Sequence, residues 1–441
     1  MNHTDKQILQ IALPSIVSNI TVPLLGMIDV AIVGHIGDAA YIGAVAVGSM
    51  IFNLIYWIFA FLRMGTSGLT SQALGRRDVA GVSSLLVRSL AVALLVSVLI
   101  IVLQEPLQWL MFRLVGPTPD VLPLAARYFS IVVWGAPAVL GLYGLSGWYI
   151  GMQNTRIPMA ISIMQNVANI LASLLFVFGM GMKIEGVAIG TVLAQYAGFV
   201  VALVMLAPLP VDLRGRRAWR RIVRSARSLS WTSGWNGMFK VNRDIFLRTL
   251  FLVAVSLYFT SVSAKQGAVV LAVNTVLMQL YLLFSYVMDG FAYAGEALCG
   301  LFHGARNGKA FRSVVRRLFG WGAAVVAVFT ACYVFAGHWF VHLLTTDVQV
   351  LTVMDDYLWW SWFIPVAGVA AFIWDGVFIG ITATRAMLLS AVVSASVFFL
   401  TCLLLLPLMG NHGLWLAMLF FLAMRGVMQT AIYRYRLSLF A

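Results

Sequence analysis

Apolar runs of roughly 20 residues or more, the length that crosses a bilayer as a helix, follow one another along this chain with only short polar breaks. Twelve such spans are read, at 8–33, 42–70, 84–105, 124–149, 158–180, 186–207, 242–262, 268–300, 313–337, 353–380, 386–409 and 413–433. Apolar and polar positions do not alternate within them, which excludes a β-barrel. The first seven residues are polar, and the run after them is too long for a signal-peptide core. No small-residue cleavage site follows it, so it reads as a retained helix.

The longest polar interval, 208–241, divides the spans six and six. Within it Arg217, Arg220, Arg221, Arg224 and Arg227 recur at helical spacing, interleaved with Trp219, Ile222, Val223 and Trp231. This pattern predicts an amphipathic helix in the headgroup region. The expected organisation is an N-lobe at 1–207, a basic cytoplasmic linker at 208–241 and a C-lobe at 242–441.

The halves repeat one another. Residues 147–156 (GWYIGMQNTR) match 376–385 (GVFIGITATR), and Gly75-Arg76-Arg77 matches Gly304-Ala305-Arg306. Both pairs are 229 residues apart (376 − 147 and 304 − 75). An even number of spans per half makes both repeats enter the membrane from one side. The expected fold is therefore all-α and integral to the membrane, with twelve transmembrane helices in two pseudo-symmetric six-helix lobes. Such a pair leaves a central cleft whose alternating access is a rocking of one bundle against the other.

Composition agrees with this reading: 62% of the 441 residues are hydrophobic and 10% charged, a ratio that could not cover a soluble surface. The net charge of +14 is topological. With the N-terminus inside, the inner loops collect Lys6, Arg76, Arg77, Arg88, Arg156, the cluster from Arg214 to Lys240, Arg306 to Arg317, Arg385, Arg434 and Arg436. The outer loops hold Arg113, Arg127, Lys183 and Lys265. That bias places both termini in the cytoplasm, with membrane lipid rather than nucleic acid as the anionic partner. Cys299, Cys332 and Cys402 lack metal spacing and read as small core residues. The six histidines fall at span ends or in loops; His338 and His342 share a His-x-x-x-His spacing beside an outer loop. No nucleophile is matched to a base, so the chain is not read as an enzyme, and no cofactor is expected.

The chemistry concentrates on acids inside spans. Asp29 lies within the first one, where a charged carboxylate is expensive, and such groups are held in watery cavities or take up protons. Ser162, Asn166, Asn169 and Ser173 share one face of the fifth span, either lining a cavity or joining helices. Thr191 and Gln195 extend that wall on the sixth. Pro23 interrupts the helix ladder six residues before Asp29. In the second half Tyr286, Asp289, Tyr293 and Glu296 form another single-face stripe, suited to a cavity that receives cations. Arg63, whose repeat mate is position 292, is the candidate gate or structural partner of Glu296. Asp375 is placed on the cavity as well. Asp29 has Tyr258 as its repeat mate, so the lobes are not equivalent.

The segments NITVPLLGMID (19–29), VGH (33–35), FLRM (61–64), GLTSQA (68–73), NRDI (242–245), DGFAYA (289–294) and GNH (410–412) resemble, in order and over nearly the whole chain, the multidrug and toxic compound extrusion family. The similar branch is the DNA-damage-inducible F (DinF-like) one. The resemblance implies a twelve-helix, two-lobe antiporter of the bacterial inner membrane that expels organic, often cationic, drug-like compounds in exchange for protons or sodium; a monomer is expected. By it Asp29 matches the first-helix carboxylate, Asn169 a fifth-helix asparagine and Thr191 a sixth-helix threonine. The family often has a second aspartate where this chain has Ser173, so a two-carboxylate mechanism in the N-lobe does not carry over. The expectation is proton coupling through Asp29. Sodium held by Asp29, Asn169, Ser173 and Thr191 is the alternative. A flippase for lipid-linked precursors is less favoured, since only Arg63 and Arg248 would offer basic groups in the cleft.

Overall fold

The computed structural model describes residues 3–34, 39–207 and 234–437. The basic segment 208–233, on which the amphipathic-helix expectation falls, lies outside the described residues, as do His35 and the last four residues. The first half contains α1 (His3–Gly34), α2 (Ala39–Ile58), α3 (Phe61–Gly75), α4 (Val79–Val102), a short α5 (Gln104–Val115), α6 (Leu122–Val132), α7 (Ala136–Gly151), α8 (Arg156–Leu174) and α9 (Ile184–Val204). The second contains α10 (Trp235–Lys265), α11 (Ala268–Gly304), α12 (Gly308–Leu344), α13 (Val348–Tyr357), α14 (Trp360–Gly380), α15 (Thr384–Met409) and α16 (Asn411–Ile432). Among the described residues there is no strand, and eleven helical stretches are long and apolar enough to cross a membrane. The 32 residues of α1 supply the length for one more, about 48 Å at 1.5 Å per residue.

Several predicted spans are interrupted, the tenth among them, at Leu358 and Trp359 between α13 and α14. The second turns at Phe59 and Ala60 between α2 and α3, and the fourth passes through a 3₁₀ turn, Val133–Gly135, between α6 and α7. Of the three cysteines, Cys299 and Cys402 are buried, whereas Cys332 faces outward from α12, so the expectation of a core residue fails there. An apolar surface is no penalty for a thiol on a lipid-facing helix.

The chain divides into two compact units: Val17–Asn236, and Met1–Ile16 together with Gly237–Ala441. The long α1 therefore belongs to both, its first half packing with second-half helices, although the sequence reading groups 1–207 as one lobe.

The repeat is written into the backbone. Among the described residues, the non-glycine positions with positive φ are Arg77 (58°), Gln153 (64°), Arg306 (55°) and Thr382 (55°), two pairs each 229 apart. The residue after each arginine caps the next helix: Asp78 accepts from the Gly81 amide at 2.8 Å, and Asn307 from the Ala310 amide at 3.1 Å. Glycines set the closest helix crossings in the same register. A Cβ on Gly147 would run into the carbonyl oxygen of Arg63, and one on Gly376 into that of Ala292. One turn on, a Cβ on Gly151 would stand 2.8 Å from the Ser67 carbonyl oxygen, and one on Gly380 2.8 Å from that of Glu296. Each pair again differs by 229, so α3 against α7 and α11 against α14 are one packing unit used twice.

Because the obstacle is backbone, Gly376→Ala is expected to cost about 1–3 kcal/mol through forced separation of α11 and α14. Gly320→Ala, on an α12 position open within 4 Å, should be neutral or slightly stabilising through helix propensity. Thermal unfolding in detergent, scored side by side, tests the contrast; equal melting of the two variants would refute it.

Candidate functional site

The polar face of α8 serves two neighbours. Toward its start it grips α1: the hydroxyls of Ser162 and Thr21 are 2.9 Å apart, and Asn166 Nδ2 donates to the Thr21 carbonyl at 2.8 Å. Asn166, expected in the substrate cavity, thus joins helices through its amide. Further along, the same face turns to α9. Ser173 Oγ donates to Asn169 Oδ1 (3.4 Å), Asn169 Nδ2 donates to Thr191 Oγ1 (3.0 Å), and Thr191 Oγ1 donates to the Val187 carbonyl (3.0 Å). The helices meet closely there because residue 190 is glycine: a Cβ would lie 2.7 Å from Ser173 Oγ and 2.9 Å from its backbone nitrogen. Three of the four residues expected to handle the coupling ion are therefore one hydrogen-bonded chain.

The fourth, Asp29, sits near the end of α1 with 4% of its surface exposed. Its Oδ1 has no hydrogen-bond partner, and no cation pairs with it among the described residues. Tyr128 on α6 connects it to the chain, lying within electrostatic reach of Asp29 and hydrogen-bonding reach of Thr191. The Tyr128 hydroxyl is 3.5 Å from Ser49 Oγ on α2. Tyr56, with an orphaned buried hydroxyl, is within electrostatic reach of Tyr128, Tyr143 and Tyr196. Sequence reasoning passed over these tyrosines; single aromatic residues in apolar spans carry no periodic signal. Gln195 presses its side-chain oxygen against Gly135, and that oxygen also lacks a partner among the described residues. Arg63 on α3 is half-buried, within reach of Tyr143.

The second-half unit holds a different construction. Asp375 on α14, expected on the cavity wall, is instead buried among Arg248 of α10, Arg425 and Gln429 of α16. Arg425 donates to its Oδ2 at 2.5 Å and Gln429 to its Oδ1 at 2.6 Å, while Arg248 makes a short contact with Oδ2. Asp289 lies within electrostatic reach of Arg248. On the α11 stripe Tyr286, Asp289 and Tyr293 are half-buried, and Glu296 is enclosed at 1% exposure. Arg425 and Gln429 escaped the sequence reading, although a guanidinium inside the run 413–433 is the same kind of signal as Asp29.

Residues 14–175 and 245–404 match the family model described as MatE. The blocks begin 231 residues apart (245 − 14), close to the repeat offset. DNA damage-inducible protein F of Escherichia coli (strain K12) is 38% identical over 434 residues, covering 98% of this chain and 93% of that one. Protein DETOXIFICATION 44, chloroplastic, of Arabidopsis thaliana is 25% identical over 435 residues, covering 95% and 80%. A solved MATE in the bent conformation shares the fold, with a TM-score of 0.84 at 18% identity over 100% of this chain and 96% of that one. Matched in both halves and along nearly its full length, the chain belongs to the MatE family of multidrug and toxic compound extrusion transporters and is a multi-pass membrane protein.

Proposed function

We propose that this protein is a secondary active antiporter of the bacterial inner membrane, exporting organic, often cationic, compounds in exchange for protons carried by Asp29. The observation that carries the reading is the state of that carboxylate: buried, one oxygen unsatisfied, and no ion partner among the described residues. A carboxylate in an ion pair gives up the pair when it takes a proton. Asp29 has none to give up, and the neutral acid relieves a burial cost that the anion bears. In the charged state it offers an anionic centre with the Tyr128 phenol within electrostatic reach, which suits an organic cation. Protonation removes that centre and releases the cargo.

The neighbouring oxygens favour the proton over sodium. A hard cation needs several oxygen ligands turned toward it. Here the Asn169 carbonyl already accepts from Ser173, and the Thr191 oxygen accepts from Asn169 while donating its proton to Val187. A metal ion would compete with these hydrogen bonds for the orientation of the oxygens, whereas a proton on Asp29 makes no demand on them.

The test is transport in proteoliposomes under one gradient at a time. A pH gradient without sodium should drive export of a cationic dye such as ethidium, and a sodium gradient at equal pH should not. Export driven by sodium alone would replace the proton with sodium.

A further inference from the structure

A groove of about 860 Å³ runs along the exposed side of α14 and α16, within the second-half unit. At its floor the two helices touch, since a Cβ on Gly426 would stand 2.7 Å from the Ala370 Cβ. Phe363, Val366, Phe420 and Val427 form its walls, all exposed and all apolar. The polar atoms along this stretch are engaged within the protein. Thr430 Oγ1 accepts from Trp374 Nε1 (2.7 Å) and donates to the Gly426 carbonyl (2.6 Å). Trp359 Nε1 donates to the Asp356 carbonyl (2.8 Å), and Trp360 Nε1 to His412 Nδ1 (3.1 Å).

One end is different. There the lining closes with Arg434 and Tyr435, both exposed. Tyr433 fixes that end, its ring packed on Trp374 of α14 and Phe311 of α12 at centroid distances of 4.5 and 6.5 Å. Arg312, exposed on the first turns of α12, lies within electrostatic reach of Tyr433. The lining carries no acidic side chain among the described residues. Two guanidiniums thus stand at one end of an otherwise apolar groove. From Ala423, at mid-groove, to Arg434 is 11 residues (434 − 423), about 16 Å along a helix. Half the hydrocarbon core of a bilayer is about 15 Å.

We propose that this groove binds an anionic phospholipid of the cytoplasmic leaflet, with an acyl chain between α14 and α16 and the phosphate at Arg434 and Arg312. A molecule apolar along one leaflet's depth and anionic at its end matches the groove in length and in charge. A zwitterionic lipid would bring its own cation against the same arginines. Arg425, two residues from both Ala423 and Val427, points to the opposite side of α16 and joins Asp375 of α14. The lipid therefore braces from outside the two helices that the buried ionic group joins within, and it acts as a structural ligand of the folded unit.

The experiment uses the full chain, stripped of lipid in detergent, with bound lipid counted by native mass spectrometry. Dioleoyl phosphatidylglycerol and dioleoyl phosphatidylcholine are titrated separately. At about fivefold per basic residue near an anionic lipid, wild type should prefer phosphatidylglycerol by about 25-fold and Arg434→Gln by about fivefold. Arg434→Gln should bind phosphatidylcholine as wild type does and melt at the wild-type temperature, because Arg434 is exposed. Ala423→Trp, which fills the middle of the groove, should weaken both lipids alike. Equal affinity of wild type for the two lipids overturns the proposal, as does full preference in Arg434→Gln or unchanged binding in Ala423→Trp. A wild-type dimer that Ala423→Trp dissociates would make a second copy of the chain the occupant and overturn it too.

Discussion

Asp29→Asn is expected to reduce proton-driven export to the level of protein-free vesicles while the protein stays folded. The side chains are nearly isosteric, and the carboxylate makes no ion pair among the described residues that the substitution could break. Removing a buried charge with no counter-ion should leave the melting temperature unchanged or raise it, by no more than about 1 kcal/mol in stability terms. The asparagine cannot change its charge, so binding of a cationic dye should become insensitive to pH, at the lower affinity of the neutral site. Parallel measurements of dye binding and vesicle transport check this. Retained export would show that another group carries the proton, and collapse of the fold would show that Asp29 is structural.

Much of the frame was legible in the sequence because its determinants are local. The 229-residue offset appeared in glycines and arginines, and these turn out to be the closest helix crossings and the left-handed turns. Such positions admit few residue types, so they keep their identity in both halves. The polar residues do not obey the offset: Asp29 faces Tyr258 in the repeat, Asn169 Phe398, and Ser173 Cys402. Asp29 stood out because charge inside an apolar run is rare. The α8 stripe stood out by its spacing, but spacing says only that four side chains share a face. That Ser162 and Asn166 hold α1, whereas Asn169 and Ser173 hold α9, depends on which helix passes at which height. The same gap hid the partner of Asp375, since Arg425 is 50 residues away on a helix whose neighbours no periodicity reveals.

Asp375→Ala is expected to destabilise the protein by about 3–5 kcal/mol, the usual effect of removing one member of a buried ionic group. Arg248 and Arg425, 5% and 4% exposed, would then confront each other without the carboxylate that both contact, and Gln429 would lose its acceptor. Asp289 lies within reach of Arg248 and would offset part of the loss. Asp375→Asn should also destabilise, because a neutral amide leaves both guanidiniums uncompensated. Replacing the three charged residues together, as Arg248→Met, Asp375→Leu and Arg425→Met, should recover most of the stability, since the cost belongs to the orphaned charges rather than to the missing pair. Thermal unfolding in detergent measures all of these, and wild-type melting of Asp375→Asn would refute the assignment. The comparison with Asp29 separates two kinds of intramembrane acid. A carboxylate compensated by two guanidiniums is needed in its charged form for the fold to hold. One with no counter-ion among its described neighbours can take up a proton without cost to the fold, which suits a coupling site.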